Sequence, residues 1–131
     1  MSAINSVTII VGNLTRDPEL RFLVAGEATA DLSVAVSRRW ENPTTHESEE
    51  KTSFLEVVCW GDLAKNVAAS ARRGSRVVVT ARLEQRSWQS KGRHRSKLEL
   101  VADEVALSLR FATASVEGTT AAGQADASPA A

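Results

Sequence analysis

Four aromatic residues are the side chains in this sequence best suited to noncovalent chemistry. The chain has six aromatic residues and no tyrosine, and Trp40, Phe54, Trp60 and Trp88 are four of the six. The last three share a predicted strand face with polar and charged residues such as Arg86. Because an apolar core collects large rings on its Val, Leu and Ile face, these rings predict a surface that stacks flat partners. An unpaired nucleic-acid base is such a partner.

Basic residues concentrate near the last of these rings. The whole chain has 16 basic and 16 acidic side chains, so its net charge does not predict nucleic-acid binding. Between residues 82 and 97, however, six cations stand against Glu84 alone. These cations are Arg82, Arg86, Lys91, Arg93, Arg95 and Lys97. Single-strand sites combine cations with stacking rings, so we predict that these residues and Arg38 contact DNA phosphates.

Alternating hydrophobicity predicts the strands that carry these side chains. The clearest alternation runs from Ala30 to Ser37, with Leu32 and Val36 on the core face. Trp40 is in register with those two residues, so only a bulge or a strand end would turn it outward. The predicted strands cover residues 7–11, 30–37, 52–60, 76–88 and 98–109, with a register shift at residues 102–104.

Turn and cap residues predict the connections. Gly12-Asn13 is expected to end the first strand, and the polar stretches 41–51 and 89–96 are expected to be loops. Asp62 is the predicted N-cap of a single helix that Gly74 ends. The predicted order is three strands, one helix and then at least two further strands, and this order is typical of an all-β fold with a single helix. We therefore predict an OB-fold, a five-stranded Greek-key barrel with one helix between strands 3 and 4.

Composition predicts one domain, a tail and no catalytic centre. Residues 1–111 are expected to fold, and the Ala, Ser, Thr and Gly-rich residues 112–131 to be disordered. Cys59 is the only cysteine and belongs to the core register, and neither histidine has metal ligands at suitable spacing. We expect no cofactor, no metal and no enzyme activity. With no membrane-length apolar run and no secretory signal, a cytoplasmic location is expected.

Two other functions fit parts of the pattern. A protein-interaction or assembly module would use the same rings as an oligomer interface, and Trp88→Ala would then change the mass without changing DNA affinity. A nuclease on the same barrel would need clustered carboxylates and a metal, and the sequence contains no such cluster.

The run from Val11 to Arg21, VGNLTRDPELR, closely resembles the N-terminal signature of bacterial single-stranded DNA-binding proteins, the SSB family. The resemblance covers roughly residues 1–111. It implies that Trp40, Phe54, Trp60 and Trp88 occupy base-stacking positions, which includes an outward Trp40. It also implies a homotetramer, with a dimer possible, that protects single-stranded DNA at the nucleoid during replication, recombination or repair.

The C-terminal residues depart from this family pattern. SSB proteins typically carry a disordered tail with an acidic-hydrophobic tip that recruits replication and repair proteins, whereas this sequence finishes with Asp126, Ala127, Ser128, Pro129, Ala130 and Ala131. The sequence thus predicts a short-tailed paralogue. The resemblance supports strand binding and gives no support to recruitment of other proteins.

Overall fold

The structure is a computed structural model that describes residues 6–117. Six strands and one helix follow one another along the chain. They are β1 (Thr8–Leu14), β2 (Glu19–Phe22), β3 (Ala28–Glu41), β4 (Ser48–Trp60), α1 (Gly61–Ser70), β5 (Arg76–Ser90) and β6 (Arg93–Leu107). The predicted β architecture with one helix is confirmed, and the helix follows β4.

Five of the strands close into a barrel. The sheet order is β1-β5-β6-β4-β3-β2, and an additional pairing of β1 with β3 joins the two sides. The closure pairs Asn13 with Ala35 and Leu14 with Val34. β4 and β6 pair in parallel, whereas the other strand pairs are antiparallel. This is the predicted five-stranded OB-fold barrel, to which β2 adds a short strand on β3.

Small aliphatic side chains fill the barrel. The largest fully buried residues are Leu32, Val34, Val57, Val77, Val79 and Cys59. The helix α1 packs mainly against β3 and contributes Ala64 and Val67 to this core. All six aromatic residues of the chain lie within the described range, and all six are exposed. Burial of aliphatic side chains, together with Cys59, therefore supplies the hydrophobic stabilisation of the core.

The prediction that Gly12-Asn13 ends the first strand is wrong, because β1 continues to Leu14. Gly12 lies where β1 passes closest to β3, and a Cβ atom built there would stand 2.2 Å from the carbonyl oxygen of Ala35. Only glycine permits this approach. Gly12 is thus needed for barrel closure and does not mark a turn.

The predicted loop 89–96 is mostly strand, and the predicted loop 41–51 is shortened to residues 42–47. β3 and β4 pair from Thr29↔Trp60 to Glu41↔Ser48, so residues 48–51 belong to β4. β5 and β6 pair as far as Ser90↔Arg93, so residues 89–96 form a ribbon whose turn is Lys91-Gly92. Both turn residues have positive φ, 52° and 76°, as a two-residue type I′ hairpin requires. The predicted register shift is confirmed, since Thr80 pairs with Glu104 but Ala81 pairs with Ala102.

The prediction of Asp62 as N-cap is also wrong. Trp60 occupies the N-cap position without a side-chain hydrogen bond, and Gly61 turns the chain into the helix with a φ of 68°. Asp62 lies in the first turn, where its carboxylate complements the helix dipole. The helix ends at Ser70, so Gly74 belongs to the connection that follows.

Two further differences concern short and terminal segments. β2 was not predicted, because four residues are too few to show an alternating pattern. Residues 108–117 contain no helix or strand. The predictions about the tip of the tail fall on residues 118–131, which lie outside the described residues.

Candidate nucleic-acid interface

Phe54 and Trp60 lie on the outer face of β4, as alternation predicted. The residues between them that face the barrel, Leu55, Val57 and Cys59, belong to the core or pack against it. Phe54 is 67% exposed and Trp60 36%. The two rings are six residue positions apart, which corresponds to about 20 Å along β4. The two rings therefore lie at opposite ends of one continuous surface on the outer face of β4.

A groove of about 670 Å³ runs along this face. Both rings line it, and Val58 lies between them on the groove floor. Arg86 of β5 and Lys97 of β6 line the same groove, since β6 pairs with β4 and β5 with β6. Apolar rings and cations in one open channel are the two requirements of a single-strand binding site.

Trp88 lies beyond this groove on the β5–β6 ribbon, which projects from the barrel. Trp88 pairs with Arg95, and Arg86 pairs with Lys97. Directly paired residues of an antiparallel ladder share a face, and residues two apart on one strand do too. Trp88 therefore shares one face of the ribbon with four cations. They are Arg86, Arg93, Arg95 and Lys97.

Lys91 lies at the tip of this ribbon, in the two-residue turn. Within residues 6–117, neither Lys91 nor Arg93, Arg95 or Lys97 has an acidic partner within 4.0 Å. These four cations are thus available to an external anion.

Trp40 is 37% exposed, but a bulge is not the cause. The pairing of β3 with β4 is regular along its whole length. β3 simply continues past the end of the core, and all its residues from Ser37 onward are exposed. By register Trp40 stays on the face of Leu32 and Val36, opposite to the face of Phe54. The guanidinium carbon of Arg38 lies 5.5 Å from the centroid of the Trp40 ring, a cation–π contact.

Arg82 differs from the ribbon cations because carboxylates already hold it. Its Nε donates a 2.5 Å hydrogen bond to Glu84, and its Nη1 donates to Asp103. These partners, chiefly the hydrogen bond to Glu84, raise the pKa of Arg82. Asp103 is the unpaired residue at the register shift between β5 and β6, so the bulge places its carboxylate beside Arg82.

Sequence reasoning missed several residues of the groove. Arg21 and Leu23 line its wall from β2 and the turn that follows, and Glu99 of β6 lies on its floor. Glu56 also lines it and accepts a hydrogen bond from Arg16, which raises the pKa of Arg16. No signal in the sequence indicated Arg21, because the four residues of β2 are too few to show an alternating pattern. Nothing in the sequence pairs Glu99 with a particular arginine.

The structure thus divides the predicted residues into three groups. Phe54, Trp60, Arg86 and Lys97 share the groove, and Arg82 lines a smaller hollow next to it with Trp60. The β5–β6 ribbon carries Trp88, Lys91, Arg93 and Arg95. Residues 37–41 of β3 and 48–52 of β4 pair beyond the core and form a second ribbon, the β3–β4 ribbon. It carries Arg38 and Trp40, which the described structure does not bring to the groove.

Other kinds of site were sought in the described part of the chain. No group of three or more His, Cys, Asp or Glu side chains among residues 6–117 is placed to hold a metal ion. No helix within that range is long and apolar enough to cross a membrane.

Comparison with known proteins decides the family. The sequence model of the family described as "Single-strand binding protein family" matches residues 4–108. The chain belongs to this family. It is 43% identical to the single-stranded DNA-binding protein of Mycolicibacterium smegmatis over 116 residues, which are 87% of this chain and 70% of the relative. The corresponding protein of Paenarthrobacter nicotinovorans is 39% identical over 125 residues, 94% of this chain and 73% of the relative.

Solved structures of the single-strand binding protein family share the fold. A deletion mutant of the single-stranded DNA-binding protein from Thermus aquaticus superimposes with a TM-score of 0.69 at 24% identity, covering 80% of this chain and 50% of the other. Plasmodium falciparum SSB in complex with single-stranded DNA gives a TM-score of 0.66 at 21% identity, covering 82% and 96%. At these identities the likeness establishes the barrel fold alone.

Proposed function

We propose that this chain binds single-stranded DNA without sequence preference, holding the strand along the groove and the β5–β6 ribbon. As a member of the single-strand binding protein family, it is a DNA-binding protein and not an enzyme. The observation that carries the proposed mode of binding is that Phe54 and Trp60 line one groove with Arg86 and Lys97. Every base has a π-face, so stacking on these rings tolerates any sequence.

The groove and the ribbon take different parts in this proposal. Phe54 and Trp60 stack bases, while Arg86 and Lys97 contact the phosphates beside them. Trp88 stacks a further base on the ribbon, where Lys91, Arg93 and Arg95 follow the backbone. Arg38 and Trp40 offer a second, smaller stacking point on the other ribbon, and Arg82 contributes charge at the edge of the groove.

Alanine substitution of the two groove rings tests the stacking proposal. Trp60→Ala and Phe54→Ala should each weaken binding to oligo-dT by about 1 to 3 kcal/mol, the usual contribution of one stacked base. Fluorescence anisotropy of a labelled oligonucleotide would measure this. The matched control is Phe111→Ala, since Phe111 is exposed but lies outside the groove, against Arg76 and Arg110.

Three results would contradict the stacking proposal. One is an unchanged affinity in both groove variants. Another is a change of molecular mass with unchanged DNA affinity, which would show that the rings form an assembly interface instead. Wild-type protein that binds duplex DNA as tightly as oligo-dT would also contradict it.

We further propose that the chain assembles with copies of itself through β1, as a tetramer or a dimer. Ile9 and Val11 of this strand, with Val7 just before it, expose an apolar stripe on its outer side. Residues 8–12 of β1 pair with β5 on one edge, whereas pairing with β3 begins only at Asn13. An open strand edge beside apolar side chains suits the same strand of a second copy, related by a two-fold axis.

Light scattering of an Ile9→Glu variant tests this assembly. We expect a mass above that of one 14.1 kDa chain for the wild type and a lower mass for the variant. The control is Val24→Glu, because Val24 is fully exposed in the turn after β2 and should not affect the mass. A monomeric wild type, or an Ile9→Glu variant of unchanged mass, would rule out β1 as the interface.

We propose a cellular role for this binding: the protein protects single strands at the cytoplasmic nucleoid during replication, recombination or repair. Its bacterial relatives are single-stranded DNA-binding proteins, which supports the binding on which this role depends. Imaging of a fluorescent fusion after DNA damage would show nucleoid foci if this is right and diffuse signal if it is wrong.

A further inference from the structure

The groove that receives a polyanion in our proposal is lined by as many negative charges as positive ones. Its cations are Arg21, Arg86 and Lys97, and its carboxylates are Asp31, Glu56 and Glu99. Three of each leave a formal charge of zero. The groove therefore does not attract DNA by net charge, in contrast to the ribbon cations, which have no acidic partner in the described structure.

Each groove carboxylate is also paired with an arginine. Asp31 accepts from Arg21 at 2.6 Å, and Glu56 accepts from Arg16 at 3.1 Å. Glu99 accepts from Arg86 at 3.4 Å, and only 15% of the Glu99 side chain is exposed. Arg86 is therefore held on the groove floor by a carboxylate that is mostly shielded from solvent.

A carboxylate and a phosphate compete for the same guanidinium donors. Both are anions that accept charge-assisted hydrogen bonds from arginine, and the single positive charge of Arg86 is already partly neutralised by Glu99. A DNA phosphate that enters the groove must displace Glu99 from Arg86 or share it. The uncompensated carboxylate then repels the phosphate or takes up a cation from solution.

We propose that Glu99 and Asp31 are built-in competitors of the DNA phosphates for the groove arginines Arg86 and Arg21, and that they limit both affinity and its dependence on salt. The proposal rests on the proposed function and names the residues that regulate the same groove. When a protein cation without an acidic partner neutralises one phosphate of single-stranded DNA, the fall of log affinity with log salt concentration becomes steeper by about 0.7. Where a carboxylate takes up a cation as the phosphate releases one, that contribution cancels.

Substitution of the competitors by their uncharged isosteres tests the proposal. Glu99→Gln and Asp31→Asn should each bind oligo-dT more tightly at low salt, by up to about fivefold, the equivalent of one ion pair at the protein surface. Each should also steepen the slope of log affinity against log salt concentration by up to about 0.7. The probe is a fluorescein-labelled oligo-dT titrated by anisotropy over a series of NaCl concentrations.

Glu104→Gln is the matched control. Glu104 is exposed on the same strand as Glu99, lies outside the groove and forms no ion pair with residues 6–117. It should leave both affinity and salt dependence unchanged. Thermal melting of all three variants would show whether each is folded. If Glu99→Gln is not folded, Asp31→Asn on β3 tests the proposal instead.

Three other outcomes have distinct meanings. Weaker binding by Glu99→Gln and Asp31→Asn with an unchanged salt slope would overturn the proposal, because the carboxylates would then position the arginines for phosphate. Equal gains in Glu104→Gln would overturn it too, since a general charge effect would explain them. Absence of oligo-dT binding by the wild type would instead refute the proposed function.

Discussion

Single residues decide which surfaces of this barrel are apolar. The rings at positions 54 and 60 were predictable because their strand neighbours alternate with core residues on both sides. Trp40 was not, because alternation gives the face of a residue but not the point where its strand leaves the core. Register places Trp40 on the core face, and exposure comes from the length of β3 beyond the barrel.

Cys59 is the residue whose ionisation affects stability most clearly. Burial, with a smaller effect from the charge of Asp31, raises the pKa of its thiol from 9.0 to about 11. The folded protein therefore holds this proton more tightly than the unfolded chain. The resulting stabilisation is complete below pH 9 and is lost as the pH rises through 11.

A Cys59→Ala variant isolates this effect. Between pH 9 and 11 the wild type should lose about 2 kcal/mol more free energy of unfolding than the variant, because alanine does not titrate. Urea unfolding followed by circular dichroism at each pH would measure it. Equal losses in the two proteins would show that the thiol does not ionise differently on folding.

At the scale of elements, the two ribbons carry the charged surface away from the barrel. Both were predicted as loops because their residues are polar throughout and the turn Lys91-Gly92 lacks the Asn-Gly or Asp-Gly pattern usual for two-residue hairpins. Strand pairing rather than burial holds these residues in place. As a result, Arg93, Arg95 and Lys97 share one face with Trp88, which a mobile loop would not ensure.

The ribbon cations should account for much of the salt dependence of binding. The triple variant Lys91→Gln, Arg93→Gln, Arg95→Gln should lower the log–log salt slope by about 2, since each phosphate contact contributes about 0.7. Affinity at low salt should fall with it. Titrations of oligo-dT at several salt concentrations would measure both.

Lys65→Gln is the control for this variant. Lys65 lies on α1, does not line the groove and should change neither quantity. A triple variant with the wild-type slope would show that phosphates do not reach the ribbon.

At the scale of the whole molecule, the chain separates two kinds of apolar residue. Aliphatic side chains form the interior, and all six aromatic residues are outside. The order of strands and helix was enough to predict the barrel, since period-two patterns mark core strands reliably. The opposing carboxylates of the groove were not predictable, because they come from β3, β4 and β6 and meet their arginines only after the barrel closes.

Tryptophan fluorescence during an oligo-dT titration tests the central claim most directly. All three tryptophans are exposed, at 36% to 41%, and each is a proposed stacking point, so a bound strand should contact their rings. We expect saturable quenching at low salt that is reversed by added NaCl. A control titration with duplex DNA of the same length should quench far less. Unchanged fluorescence at saturating oligo-dT would contradict the claim that these rings hold the strand.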